Sequence, residues 1–129
     1  LLTKDASPGI AYVLKEEIEG IVAGGILRLI MKNPSTSSGH KMEVEDEYLA
    51  LCINSIVGQM QVERDAGGSV IAHWRPEQVK NILIPILSKP IQQKISDLIR
   101  QSYASRKKTK ELLEEAKRKV EELIEKGGA

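Results

Sequence analysis

The stretch IQQKISDLIRQSYASRKKTKELLEEAKRKVEELIEK, residues 91–126, runs for 36 residues without a proline or a glycine. At ~1.5 Å of rise per residue, an α-helix of that length is a rod of roughly 54 Å. Ser88 stands ahead of it as a helix cap, and Pro90 suits the first turn, where a missing N–H costs little. A small globular domain has no surface long enough to bury such a helix from end to end. Part of it is therefore expected to project or to lie against another long helix. The residues Ile91, Ile95, Leu98, Ser102, Ser105, Thr109, Leu112 and Ala116 follow one another at spacings of four and three, the spacing of a coiled-coil seam. The middle of that seam is thin, with two serines and a threonine that permit close approach but bury little. A second phase, Leu113, Ala116, Val120 and Leu123, takes over towards the C-terminus and reads as a stutter that relaxes the supercoil.

The flanks of this rod are charged. Lys107–Glu111, Lys110–Glu114, Glu114–Arg118, Glu115–Lys119 and Glu122–Lys126 are all four apart, and each such pair is worth ~0.2–0.5 kcal/mol on an exposed helix. Arg106, Lys107, Lys108 and Lys110 form the densest basic cluster, which reads first as a solvated face and second as a phosphate contact. The seam needs a partner helix, from a second copy or from a sister segment of a longer parent chain.

Upstream of the rod the pattern changes. Residues 1–87 read as a compact mixed α/β portion and residues 88–129 as a helical spacer and assembly region. Leu1-Leu2-Thr3 is short and extended, and Asp5-Ala6-Ser7-Pro8-Gly9 is a turn. Ile10 to Leu14 is strand-like, and Ile26-Leu27-Arg28-Leu29-Ile30-Met31 predicts a central strand because it is too apolar to alternate. Residues 33–41 are a polar linker, expected to be the most mobile part of the chain. Residues 45–65 predict one amphipathic helix, with Tyr48, Leu49, Cys52, Ile53, Ile56, Val57 and Met60 on its apolar face. Gly58 within it permits a close backbone approach, and Gly67-Gly68 ends it. A short helix follows Pro76, and Pro85 marks an edge strand or an exit from the sheet.

Composition narrows the function. Aromatic residues are only 3% of the chain and phenylalanine is absent, so the core must be built of Ile, Leu and Val. No apolar run approaches the ~18 residues of a membrane span, and no signal peptide is visible. The single cysteine, Cys52, lies in an apolar pattern, which excludes a disulfide framework and suits a reducing, cytoplasmic setting. The formal charge of +1 hides an asymmetry: residues 1–87 carry 8 Lys/Arg against 11 Asp/Glu, whereas residues 88–129 carry 11 against 7. A chain with so little net positive charge binds DNA weakly by itself, because phosphate contacts supply much of the affinity.

Catalytic signatures are missing. There is no phosphate-binding or dinucleotide-binding glycine loop and no Asn/Asp-Pro-Pro-aromatic methyltransferase run. Glu43, Glu45, Asp46 and Glu47 read as helix-start carboxylates rather than as a metal site. His73 has no oriented partner visible in the sequence, which argues against a catalytic base. No cofactor and no metal are expected. Two polar clusters suit base or phosphate contact instead. One is Lys4, Asp5 and Ser7 on the turn. The other is Ser69, His73 and Arg75, beside Gly67-Gly68 and flanking Trp74. Arginine is suited to guanine edges and to phosphates alike. The bland reading of the second cluster is that Trp74 packs in the core and Arg75 is surface.

These residues resemble a known family. Leu1-Leu2-Thr3-Lys4-Asp5-Ala6-Ser7-Pro8-Gly9-Ile10-Ala11-Tyr12 and Gly25-Ile26-Leu27-Arg28-Leu29 look like the middle of a target-recognition domain of a type I restriction-modification specificity subunit. Tyr48-Leu49-Ala50-Leu51 with Ile53-Asn54-Ser55 is similar to the helix that follows there. Gly67-Gly68-Ser69 and the run from Trp74 to Pro85 resemble the way out of the domain, and Ile91-Gln92-Gln93-Lys94-Ile95 the entry to its spacer helix. The resemblance implies a partial target-recognition domain, beginning at about its second half, followed by a long coiled-coil helix. It implies a non-catalytic subunit that reads double-stranded DNA and recruits methyltransferase (modification) subunits, and through them the restriction subunit. S-adenosylmethionine would belong to the methyltransferase subunit. The competing expectation is a helical assembly element that pairs or docks partners without reading bases.

Overall fold

The computed structural model describes residues 1–31, 44–68 and 71–127. The linker at 33–41, together with Glu43 and Ser69, lies outside the described residues. The described chain is mostly helical, with one small antiparallel sheet. Its elements are β1 (Leu2–Thr3), β2 (Ile26–Leu27), α1 (Asp46–Asn54), α2 (Ile56–Ala66), α3 (Pro76–Val79) and α4 (Lys89–Glu125). None of the described helices is long and apolar enough to cross a membrane. The chain divides into two compact units, Leu1–Ser96 and Asp97–Ala129, so the boundary falls inside α4.

The sheet is smaller than the apolar run at 26–31 predicts. β1 offers only Leu2 and Thr3 as partners, paired with Leu27 and Ile26. Beyond Leu27 no described strand flanks the chain, and Leu29, Ile30 and Met31 are left exposed. Ile10–Leu14 likewise makes only an isolated bridge, Ala11 to Leu2. High β propensity yields strand only where a neighbouring strand supplies hydrogen bonds.

The single helix expected over 45–65 is two. Ser55, at φ −77 and ψ 169, interrupts it. The Ser55 amide and hydroxyl both donate to the Cys52 carbonyl, at 3.3 and 2.7 Å. Serine competes for backbone groups in this way and ends helices. Gly58 accommodates the break: a Cβ there would sit 2.2 Å from the Ile53 carbonyl oxygen. The close approach at Gly58 is therefore made by the end of α1.

Leu2, Ile53, Val62, Trp74 and Val79 form the centre of the core, and Trp74 is only 1% exposed. Around it, side-chain amides do what a larger sheet would do. Asn54 accepts from the Ala11 amide at 2.7 Å and donates to the Ala11 carbonyl at 2.8 Å. Gln59 donates to the carbonyls of Gly9 and Ile53. Gln61 both donates to and accepts from Leu83. Gln92, 1% exposed, accepts from the Glu45 amide and donates to the Leu87 carbonyl. The Tyr48 hydroxyl donates to the Pro85 carbonyl at 2.6 Å. These bonds satisfy irregular backbone that burial would otherwise leave unpaired, at ~1–3 kcal/mol per group.

α4 begins as its sequence predicts. The Ser88 carbonyl accepts from the amides of Ile91 and Gln92, at 3.0 and 3.1 Å, and Pro90 sits in the first turn. The buried residues of α4 are Gln92 and Ser96 rather than its large apolar ones.

Candidate nucleic-acid interface

The two polar clusters marked in the sequence meet in space. Asp5 and His73 form an isolated antiparallel bridge. On either side of it the Ala6 amide donates to the Ala72 carbonyl at 3.1 Å, and the Trp74 amide to the Lys4 carbonyl at 2.7 Å. The Lys4 amide donates in turn to Gly25 at 2.9 Å, which ties the turn to the start of β2. Residues 68 positions apart thus share one surface strip.

The turn is held in shape by its own chemistry. Ser7 donates from its amide to the Asp5 carbonyl at 2.7 Å across Ala6, whose φ is +62. That is a tight three-residue turn in a region that side chains other than glycine seldom adopt. Gly9, at φ +87, has no such freedom to be anything else, since a Cβ there would lie 2.7 Å from Val62 Cγ2. Thr3 clamps the loop: its hydroxyl donates to the Ser7 carbonyl at 2.7 Å and accepts from the Ile10 amide at 2.9 Å. Sequence reasoning passed over Thr3. A β-branched hydroxyl residue just ahead of a Pro-Gly turn is the signal for it.

The side chains on the strip are linked. Asp5 Oδ1 receives His73 Nδ1 at 2.8 Å, and Asp5 Oδ2 receives Lys4 Nζ at 3.0 Å. The bond from His73, and after it the bond from Lys4, hold the Asp5 carboxyl below the usual carboxylate range. Asp5 is the oriented partner for His73 that the sequence conceals. Trp74 is buried between its exposed neighbours His73 and Arg75, so the alternation of an extended segment puts those two on the outer side. Trp74 packs in the core and Arg75 is surface, as the bland reading has it. The Arg75 amide donates to the Gln78 carboxamide at 2.9 Å, and Gln78 donates to the Asp65 carbonyl at 2.6 Å. Those two bonds fix the backbone at the start of α3, while the Arg75 guanidinium pairs with no described residue. Asp65, held below its ordinary range first by its hydrogen bond from Arg64, occupies that arginine instead.

Of the carboxylates at 45–47, Glu45 and Glu47 have structural partners, and Asp46 is exposed in the first turn of α1. Glu47 is buried and paired with Lys15 at 2.9 Å, and Glu45 is paired with Lys89 at 2.7 Å. No cluster of three His, Cys, Asp or Glu suited to a metal occurs among the described residues.

The seam residues fall into two sets. Ile91 and Ile95, in the first unit, are exposed and half-buried respectively. In the second unit Leu98, Leu112, Leu113, Val120 and Leu123 are each more than half exposed, and Ser102, Ser105, Thr109 and Ala116 are exposed as well. Ser102, Ser105 and Thr109 border a shallow depression with Arg106, Lys110 and Leu113. Of the expected ion pairs, Glu115–Lys119 forms at 2.9 Å, whereas Glu114 takes Lys117 at 2.9 Å in place of Lys110 or Arg118. Arg118 approaches Glu122 at 3.9 Å.

A second feature of the first unit escaped the sequence reading. A groove of about 830 Å³ is lined by Tyr12, Leu14, Ile18, Leu29, Ile30 and neighbouring residues, with Glu16, Glu17 and Glu19 along it. It exists because 10–31, apart from β2, forms no regular element and exposes residues that read as strand. No family model, curated protein or solved structure matches this chain.

Proposed function

We propose that this chain is a non-catalytic, sequence-specific DNA-recognition and spacing module of a type I restriction-modification complex. In this reading residues 1–87 are the C-terminal portion of a target-recognition domain, and residues 88–129, which include α4, are a coiled-coil spacer that recruits and aligns methyltransferase subunits, and through them the restriction subunit. The observation that carries it is the convergence of Lys4, Asp5, His73 and Arg75 on one strip, backed by a buried Trp74. Such a strip combines a guanidinium that pairs with no described residue, an ammonium and an imidazole on a hydrogen-bonded backbone, which is the chemistry of phosphate positioning and base-edge contact. The resemblance of the turn, the Trp74–Pro85 run and the rod supports the same assignment. Apart from the half-buried Ile95, the seam residues are exposed in the single chain, which supports pairing with another long helix from a second copy or a parent chain.

Salt titration of duplex binding, by anisotropy, tests the reading on the chain reconstituted with a methyltransferase subunit. Selective binding that weakens steeply with salt is expected, with Arg75→Ala losing roughly tenfold or more on the preferred duplex. Equal binding of all duplexes removes the central content of the assignment.

The exposed seam favours a second reading, a pure assembly element. There, Arg75→Ala leaves DNA binding by the reconstituted complex unchanged, and Leu98→Lys or Leu112→Lys abolishes association.

A further inference from the structure

The Asp5–His73 pair constrains what the histidine ring is able to read. An ionised carboxylate only accepts hydrogen bonds. Both oxygens of Asp5 are engaged, Oδ1 at 2.8 Å by His73 Nδ1 and Oδ2 at 3.0 Å by the Lys4 ammonium. The 2.8 Å bond therefore requires the proton on Nδ1. In the neutral ring the other nitrogen, Nε2, is then a bare acceptor. The His73 side chain is 59% exposed, and Nε2 has no partner among the described residues. The backbone bridge at Asp5 and His73, with the buried Trp74 next along, holds the ring in place.

A lone acceptor in the major groove matches donors only. Adenine N6 and cytosine N4 carry amino hydrogens there, whereas guanine and thymine present acceptors. We infer that His73 reads the exocyclic amino group of an adenine or a cytosine through Nε2, with Asp5 as the residue that sets its tautomer. This rests on the DNA-reading proposal above and adds the chemical class of the base group contacted. Lys4 has a positioning role: it occupies the second oxygen of Asp5 and favours the ionised carboxylate.

Two arms separate this inference from the reading beneath it. In the first, the free chain is labelled with ¹⁵N-histidine and studied by long-range proton–nitrogen NMR in alkaline buffer at about pH 9. His73 is expected to carry its proton on Nδ1, and Asp5→Ala is expected to shift that proton towards Nε2. A wild-type ring protonated on Nε2 overturns the inference without touching DNA recognition. In the second, the reconstituted complex meets its preferred duplex with each adenine replaced in turn by 2-aminopurine, which moves the amino group to the minor groove, and with each C·G pair replaced by T·A. At one position the wild type is expected to lose roughly tenfold, and His73→Ala to lose little further from the same replacement. Wild type and His73→Ala responding alike at every position overturns the inference while selectivity stands. Absence of selectivity in the wild type overturns both.

Discussion

Leu1–Ser96 and Asp97–Ala129 are built from the same few apolar residue types, yet they meet water differently. Every buried core side chain belongs to the first unit. There, Leu2, Ile53, Val62 and Trp74 exclude water, and carboxamides from Asn54, Gln59, Gln61 and Gln92 satisfy the irregular backbone. In the second unit no described residue is buried, and Leu112, Leu113, Val120 and Leu123 stand more than half exposed. Its order comes from helix hydrogen bonds and from pairs such as Glu115–Lys119, worth only tenths of a kcal/mol each. The first unit encloses a core of its own, whereas the apolar stripe of the second lies open in the single chain; in the proposed reading that stripe is covered by another helix. Substitutions should therefore act on one unit through stability and on the other through association.

Trp74 carries the largest expected effect. Trp74→Ala should cost the first unit ~3–5 kcal/mol, from lost burial and the cavity left behind. Urea unfolding followed by the methyl resonances of the core checks it; an unchanged midpoint would mean that the core is not centred there. Asn54→Ala comes next, at ~1–3 kcal/mol, because it strips partners from both the amide and the carbonyl of Ala11. Faster hydrogen exchange at the Ala11 amide should accompany it.

Tyr48→Phe is smaller, at ~1 kcal/mol, for the bond to the Pro85 carbonyl. It also sharpens the pH profile. Burial, first among the causes, pushes the Tyr48 hydroxyl up to about 12 from an ordinary value of 10.0. A raised folded value means that the stabilisation is complete below pH 10.0 and is lost as pH climbs towards about 12. Phenylalanine should abolish that alkaline decline. At the acid end the sign reverses: Asp5 and Asp65 are lowered from 3.8. Their contribution is present above that value and fades as pH falls through the depressed ones, and Asp5→Asn should blunt the acid-side fall. The smallest effect on the first unit belongs to Leu112→Lys, within ~0.5 kcal/mol. In the same sample the mass by sedimentation should fall from that of a helix-paired species to that of one chain.

Local signals in the sequence carried much of this. A proline-free and glycine-free run, Ser88 and Pro90 announced α4, and Pro76 announced α3. The Asp5–Gly9 turn was legible from Pro8 and Gly9, and the burial of Cys52 from its apolar neighbours. What stayed hidden depends on distant partners. Ile26–Met31 has strand chemistry throughout, yet only Ile26 and Leu27 find a strand to pair with. The break at Ser55 hinges on one serine that bonds to Cys52 instead of continuing a helix. At the candidate site each polar cluster was visible by itself, but nothing local to Asp5 points to His73. The bonds that Asn54 and Gln59 make to distant backbone stayed hidden too, because an amide that braces a remote backbone looks the same in sequence as one that faces water.

The claim that the strip of Lys4, Asp5, His73 and Arg75 reads DNA is tested most directly by sequencing what the assembly retains from a randomised duplex pool. The chain is reconstituted with a methyltransferase subunit, as wild type and as the His73→Ala/Arg75→Ala double variant. The wild type should enrich one motif, and the double variant should form the same assembly but lose the enrichment at the positions those two side chains contact. An identical motif from both, or no motif from the wild type, would contradict it.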